Sequence, residues 1–198
     1  MPLIVDKAER RAMVARVAFD LVADTGLGSL TFRQVADATG YSTAIVTNYF
    51  ADKNDLLFEV YRIANHRAMD LLETAFDSGE ELIDVVTRVL PITEEMQRNW
   101  RVWMAFWALS HSDPTFREET AENARASVGL YARMLRNHFR ALPQLDETSV
   151  DDLARRLIAT VGGAGMQACL APDDWPLERL RAIIAAEIAV LDSEAGLA

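Results

Sequence analysis

The sequence predicts an all-α protein, and three observations carry that prediction. No segment alternates apolar and polar residues with the two-residue period of a strand. Apolar residues recur instead at spacings of three and four along nearly the whole chain. Helix-ending residues punctuate it at Gly26, Gly40, Asp77-Ser78-Gly79, Pro91, Ser112-Asp113-Pro114, Leu142-Pro143 and Pro172-Asp173. With 198 residues, 51% of them hydrophobic, the chain has enough apolar surface for one or two modest cores.

Each element follows from a local signal. Val14, Val17, Ala18, Leu21 and Val22 form one face of a first helix, and Gly26 suits its C-terminal cap. Thr31 then stands as N-cap of a short helix, with Gln34 three residues on completing a capping box, and Gly40 ends it. Ser42 opens a further short helix that ends near Tyr49. Asp52 caps a longer helix to about Phe76, with Leu56, Val60, Ile63 and Ala64 on one side. Beyond Gly79 the pattern predicts helices over 80–90, 93–110, 114–141, 149–171 and 176–191.

The expected organisation is a smaller helical domain over residues 1–51 and a larger helical domain over 52–198, with 52–77 as the connecting helix. No apolar stretch approaches the roughly 20 residues that span a bilayer, and the start, MPLIVDKAERR, lacks the order of a secretory signal. The one cysteine, Cys169, excludes an internal disulfide framework, so a reducing cytoplasm is expected. The formal charge of −10 is unevenly placed. Residues 1–50 hold five basic and five acidic side chains, so the whole excess lies beyond them. An acidic body repels phosphates, and any contact with nucleic acid falls to the N-terminal end.

The segment Thr31–Lys53, TFRQVADATGYSTAIVTNYFADK, is the most informative part. In a helix-turn-helix the second helix enters the major groove and its outward side is narrow and polar. Thr43, Thr47 and Asn48 are placed to reach bases or phosphates, Ala44 permits close approach, and Ile45 and Val46 are expected to pack inward against Phe32, Val35 and Ala36. Thr31, Arg33, Gln34, Ser42, Tyr49 and Lys53 are candidates for phosphate contacts, partly through backbone N–H groups at helix starts. On spacing alone, two short helices of an ordinary helical core remain the other reading.

The residues Thr31, Val35, Ala36, Gly40, Ser42, Tyr49-Phe50, Lys53 and Leu56-Leu57 resemble, in order and spacing, the DNA-binding domain of TetR-type bacterial repressors. The wording from Ser42 to Asn54 is similar to the betaine-synthesis, choline-responsive repressor branch, and a weaker likeness continues through Trp100–Trp107 and Asp113-Pro114. The chain departs from the pattern at Thr47, where many relatives carry a tyrosine that meets the DNA backbone. The resemblance implies a ligand-responsive transcriptional repressor that binds a palindromic operator on double-stranded DNA as a homodimer and is released by a small-molecule inducer, with residues 1–51 as its DNA-binding helix-turn-helix domain and 52–198 as its ligand-binding and dimerisation domain.

Trp100, Trp103 and Trp107 share one helix face, with Met96 and Met104 beside them. Core packing is one reading. The other is a ligand chamber, with Gln97, Trp100, Trp103, Met104, Trp107, Tyr131, Met134 and Met166 as candidate ligand residues and Asn137 or Gln167 as further polar groups. Tryptophan faces attract quaternary ammonium cations by roughly 0.5–2 kcal/mol each, and the resemblance makes such an inducer, or an apolar one, worth naming.

The run Gly162-Gly163-Ala164-Gly165 costs a helix about 1 kcal/mol per glycine. Close approach of another helix offsets that cost, and an internal contact or kink is the alternative. The resemblance implies that the last two helices pair with their copies in a second subunit. Leu153, Leu157, Ile158, Val161, Gly162, Gly165, Leu180, Ile184 and Ile188 are the candidate dimerisation residues.

No cofactor motif, metal spacing or nucleophile–base pair stands out. His66, His111 and His138 are scattered; His111 with Asp113 fits a loop or cap better than a metal, and Cys169 fits a packing residue. A small helical enzyme and a helical interaction module without DNA binding are the alternative functions.

Overall fold

The structure, a computed structural model, describes residues 7–140 and 147–195. Among these residues it holds nine α-helices and no strand: α1 Lys7–Thr25, α2 Phe32–Thr39, α3 Thr43–Thr47, α4 Lys53–Asp77, α5 Leu82–Thr87, α6 Glu94–Ser112, α7 Pro114–His138, α8 Glu147–Leu170 and α9 Leu177–Ala195. Short 3-10 turns at Leu27–Ser29 and Pro172–Asp174 were not predicted. The seventh helix ends at His138, short of the expected residue 141, and the Leu142-Pro143 stop lies outside the described residues.

The capping signals are realised in atoms. Thr31 Oγ1 accepts from Gln34 N at 3.2 Å, Ser42 Oγ from Ile45 N at 3.3 Å and Asp52 Oδ1 from Asp55 N at 2.9 Å. The box at Thr31 is half of what was expected. The Gln34 side chain accepts from the Thr31 hydroxyl at 3.0 Å and does not bond the backbone N–H. Gly40 sits at φ 72, a left-handed geometry that a side chain would strain, and the Tyr41 N–H closes on Ala36 O at 3.1 Å to end α2.

Two predicted helices are shorter than their pattern. α3 stops at Thr47, and its expected last turn tightens into bonds from Asn48 N to Ile45 O and Tyr49 N to Val46 O, at 3.2 and 3.0 Å. α5 stops at Thr87, because Leu90 precedes Pro91 and cannot stay helical; Leu90 N closes on Thr87 O instead.

Packing divides the chain into two compact units. One joins the chain up to Arg67 with Arg101–Glu119; the other joins Ala68–Trp100 with the residues from Thr120 on. This division follows packing, and differs from the functional boundary expected between residues 51 and 52. In the first unit Val14, Ala18, Phe19 and Val22 of α1 are buried with Val35, Ala36, Val46, Phe50, Leu56 and Val60, and with Val102, Phe106 and Phe116 from the later segment. Tyr61 stacks on Phe106 with centroids 4.8 Å apart.

The second unit is built around α8 and α9 with α5. Leu153, Leu157 and Val161 of α8 and Leu180, Ile184 and Ile188 of α9 are all buried among its own residues. Ion pairs stitch its rim: Arg156 with Glu187 at 3.1 Å and also with Glu194, and Arg181 with Asp84 at 2.7 Å. Burial pushes the Tyr131 phenol far up from its ordinary value, so it stays neutral. No helix of the described residues is long and apolar enough to cross a membrane.

Candidate nucleic-acid interface and ligand residues

The helix-turn-helix presents its second helix almost bare. From Thr43 to Asn48 only Val46 is buried; Thr43, Ala44, Ile45, Thr47 and Asn48 are exposed. One apolar anchor therefore fixes α3, and Val35, Ala36 and Phe50 surround the same core. The expectation that Ile45 packs inward is corrected: it is 38% exposed. A helix of five residues resting on one buried position has no second inward side to hide it on.

The other candidates lie on the surface with some commitments of their own. Arg33, Gln34, Ser42 and Thr31 are exposed. Thr47 Oγ1 donates to Ala44 O at 3.0 Å, which leaves its lone pairs outward. Lys53 Nζ rests on Leu27 O at 3.4 Å. Tyr49 is half-buried, and its carbonyl accepts from Arg11.

Arg11 is the residue that sequence reasoning missed. From α1 it donates to Tyr49 O, to both oxygens of Asp55 at 2.7 and 3.2 Å, and to Glu59 Oε1 at 3.0 Å. Its guanidinium also lies over the Phe50 ring, 4.3 Å from the centroid. It thus holds the exit of α3 and the start of α4 to α1. The hydrogen bond from Arg11 leads the causes that hold the Asp55 carboxyl below its ordinary value of 3.8, and Asp55 in turn leads those that raise the guanidinium. Farther along, Arg62 grips Glu119 through two bonds of 2.9 and 3.1 Å, and Glu59 is shared between Arg11 and Arg62.

An open cleft of about 620 Å³ lies along α1, lined by Glu9, Arg10, Ala12, Met13, Arg16 and Tyr41. Tyr41, which immediately precedes the Ser42 cap of α3, shares this cleft with Arg10 and Arg16. Sequence reasoning named neither of them.

The ligand candidates are divided between the two units. Trp103 and Trp107, in the first unit, stack with centroids 6.4 Å apart and planes 11° from parallel. The Trp103 indole N–H donates to Asn65 Oδ1 at 2.8 Å, and Trp107 is 37% exposed. Met104 beside them is half-buried. Trp100 belongs to the core of the other unit. It is buried, its N–H donates to Val89 O at 2.6 Å, and its ring lies where a side chain on Gly165 would stand. Tyr131 and Met134 are buried in that same unit, while Gln97 and Met166 are exposed.

Most of the dimerisation candidates are buried within the chain itself. Leu153, Leu157, Val161, Leu180, Ile184 and Ile188 face their own core, and Gly165 makes room for Trp100 of the same chain. Ile158 and Gly162 are only half-buried. The outward sides of α8 and α9 carry Ala159, Gly163, Met166 and Leu170, and Leu177, Ala182, Ala186 and Val190. Asp113 acts as the cap expected of it, with Oδ1 accepting from Thr115 N at 2.8 Å. Among the described residues no cluster of three or more His, Cys, Asp or Glu side chains is placed to hold a metal ion.

Fold and site together define a helical DNA-binding regulator with a helix-turn-helix reading head. Comparison with known proteins gives the family. Residues 15–60 match the model of the bacterial regulatory proteins of the tetR family, and residues 79–192 match the C-terminal domain of BetI-type transcriptional repressors. The chain belongs to the TetR family of transcriptional regulators, in its BetI-type group. It is 29% identical over 181 residues to the HTH-type transcriptional regulator BetI of Burkholderia thailandensis, covering 86% of this chain and 87% of that one. It is 23% identical over 192 residues to the regulator PksA of Bacillus subtilis, covering 93% and 90%. Among solved structures, a transcriptional regulator of Rhodococcus shares the fold at a TM-score of 0.80 and 21% identity, covering 93% of this chain and 96% of that one. A protein of Saccharomonospora viridis, described as a transcriptional regulator in complex with choline, shares it at 0.77 and 22% identity, covering 92% and 96%. These relatives are regulators and not enzymes, and the chain is a transcriptional repressor by family.

Proposed function

We propose that residues 1–51 read a palindromic operator, that two copies of the chain do so together, and that a quaternary ammonium compound releases them. The observation that carries the DNA-reading part is α3 itself. Its side chains from Thr43 to Asn48 are outward save Val46, on the one stretch of chain without excess negative charge. Thr43, Ala44, Thr47 and Asn48 face bases; Thr31, Arg33, Gln34, Ser42, Tyr49 and Lys53 hold phosphates; and Arg10 and Arg16 add positive charge beside them. Lys53 needs only to leave Leu27 O, a bond already stretched to 3.4 Å.

The second copy is proposed to seat on the outward sides of α8 and α9. Gly162 and Gly163 have no neighbouring atom of their own chain within 4 Å of an added Cβ. Met166 and Leu170 are 39% and 64% exposed there, a contiguous apolar surface that a partner would cover. Met166→Arg with Leu170→Arg is expected to leave the far-ultraviolet circular dichroism unchanged and to halve the mass measured by sedimentation at micromolar concentration. An unchanged dimer mass would move the interface elsewhere.

The inducer reading rests on the exposed Trp107 face stacked on Trp103, and on choline being the ligand bound by the Saccharomonospora relative. An inducer works only by binding the released state better than the operator-bound one. The test is an operator-binding titration on the promoter beside the protein's own gene, with choline, betaine aldehyde and the uncharged isostere 3,3-dimethylbutan-1-ol. The charged pair should weaken operator binding and the isostere should not. Trp107→Ala should raise the choline concentration needed by about five- to tenfold, in line with the roughly 0.5–2 kcal/mol of one cation–π contact. Equal potency of the isostere would remove the cation from the reading. A protein that binds that promoter no better than random duplex would remove the operator.

A further inference from the structure

We infer that Ile45 is a base-reading side chain, and that its target is the C5-methyl group of a thymine in each operator half-site. The inference deepens the operator reading and rests on it. An exposed isoleucine elsewhere on a protein surface would need no account. This one stands on a helix that keeps a single residue, Val46, in the core. At about 100° per residue, Ala44 and Asn48 point within about 20° of directly away from Val46, and Ile45 and Thr47 flank that direction by about 80° on opposite sides. The outward surface of α3 therefore carries Ala44 beside Thr47 along one edge and Ile45 beside Asn48 along the other, and Ile45 is its one large apolar side chain.

An exposed apolar side chain on this surface has one counterpart in the major groove. Every base pair presents hydrogen-bonding groups there, and the one apolar feature is the thymine methyl. A γ-branched or charged side chain at position 45 would either overreach or need a polar partner. Isoleucine offers a compact apolar surface and no donor or acceptor to leave unpaired. Its backbone N–H is already held by Ser42, at 3.3 Å to the hydroxyl and 2.9 Å to the carbonyl, so the start of α3 is fixed before it meets DNA. The partner is thus named by chemistry: a methyl group on the groove edge of an A·T pair, one for each reading head.

The experiment removes that methyl and nothing else. A high-affinity duplex is first selected from a random pool with the full chain. Each of its thymines is then replaced in turn by deoxyuridine, and affinity is measured for the wild type, Ile45→Ala and Ile45→Val. One symmetry-related pair of positions should weaken the wild type by about fourfold for one half-site and about fifteenfold for both, the size expected for one buried methyl each. The same replacement should leave Ile45→Ala unaffected and Ile45→Val intermediate, with equal melting temperatures for all three proteins. If every deoxyuridine affects wild type and Ile45→Ala alike, the inference is overturned while operator reading stands. If the selection enriches no sequence, operator reading itself falls and the inference falls with it.

Discussion

Arg11→Ala is expected to cost the reading head about 2 kcal/mol and to lower operator affinity by one to two orders of magnitude, though Arg11 touches no base. The stability figure follows from the loss of several charge-assisted hydrogen bonds, worth about 1.5–3 kcal/mol where charged groups are involved, on a side chain that is 29% exposed. The substitution leaves Asp55 and Glu59, one helical turn apart, with no cation between them on the α1 side, and it releases the Tyr49 carbonyl. The exit of α3 then loses its tie to α1, and the groove-facing side chains lose their common orientation. A salt titration separates positioning from phosphate contact. A phosphate-contacting cation takes about one unit from the salt slope when removed, whereas Arg11→Ala should lower affinity at every salt concentration with the slope unchanged. Arg11→Lys should fall between, because an ammonium cannot reproduce the fork that spans Asp55 and Glu59. The pH dependence follows from the sign of the Asp55 shift. Its folded value is depressed, so the stabilisation is complete above the ordinary value of 3.8 and is lost as pH falls through the lower folded value. Wild type should therefore lose stability in acid, and Arg11→Ala should lack that component of the acid loss. A slope reduced by a full unit would make Arg11 a phosphate contact instead.

What the sequence disclosed was local. Thr31, Ser42 and Asp52 are caps because hydroxyl or carboxylate acceptors three residues before an N–H act within one turn, whatever the rest of the chain does. Val35, Ala36 and Val46 are inward because helical spacing leaves them no alternative. The residues missed or misassigned depend on partners far along the chain. Arg11 meets Tyr49, Asp55 and Glu59 across 38 to 48 positions, and no short-range pattern marks it. Ile45 was assigned inward because apolar residues usually are, yet a five-residue helix has room for one anchor. The dimerisation residues went wrong for a related reason. Apolar residues stand on both the inward and the outward sides of α8 and α9, and the larger side chains, Leu157, Leu180 and Ile184, were the obvious choice for an interface. Large apolar side chains gain most from burial, so they fill the chain's own core. The small and unbranched residues, Gly163, Ala186 and Met166, are left outside. Trp100 was legible only in part: its place on the stripe can be read from spacing, and its partner Gly165 cannot.

Gly165→Ala is expected to be among the most damaging single-methyl changes in the molecule, although alanine is the better helix former. A Cβ at this position would stand 2.2 Å from Trp100 Cζ2, 2.3 Å from Cη2 and 2.8 Å from Cε2. The ring cannot swing aside cheaply. It is buried, and its N–H is held on Val89 O at 2.6 Å. Forcing a methyl into such a contact costs typically 1–3 kcal/mol or more, and moving the indole gives up a buried hydrogen bond worth about 1 kcal/mol. The gain from replacing a helical glycine is at most about 1 kcal/mol. The net loss of about 2 kcal/mol should lower the melting temperature by about 4–8 °C for a chain of this size. Gly129→Ala supplies the control. It is an exposed helical glycine with nothing within 4 Å of an added Cβ, and it should raise stability by up to about 1 kcal/mol. Trp100→Phe completes the test. Phenylalanine lacks the outer indole atoms that the Gly165 Cβ would strike, so the double variant should be more stable than the two single losses add up to. Simple additivity would mean that the backbone of α8 moves to admit the methyl, and that Gly165 is there for some partner other than Trp100.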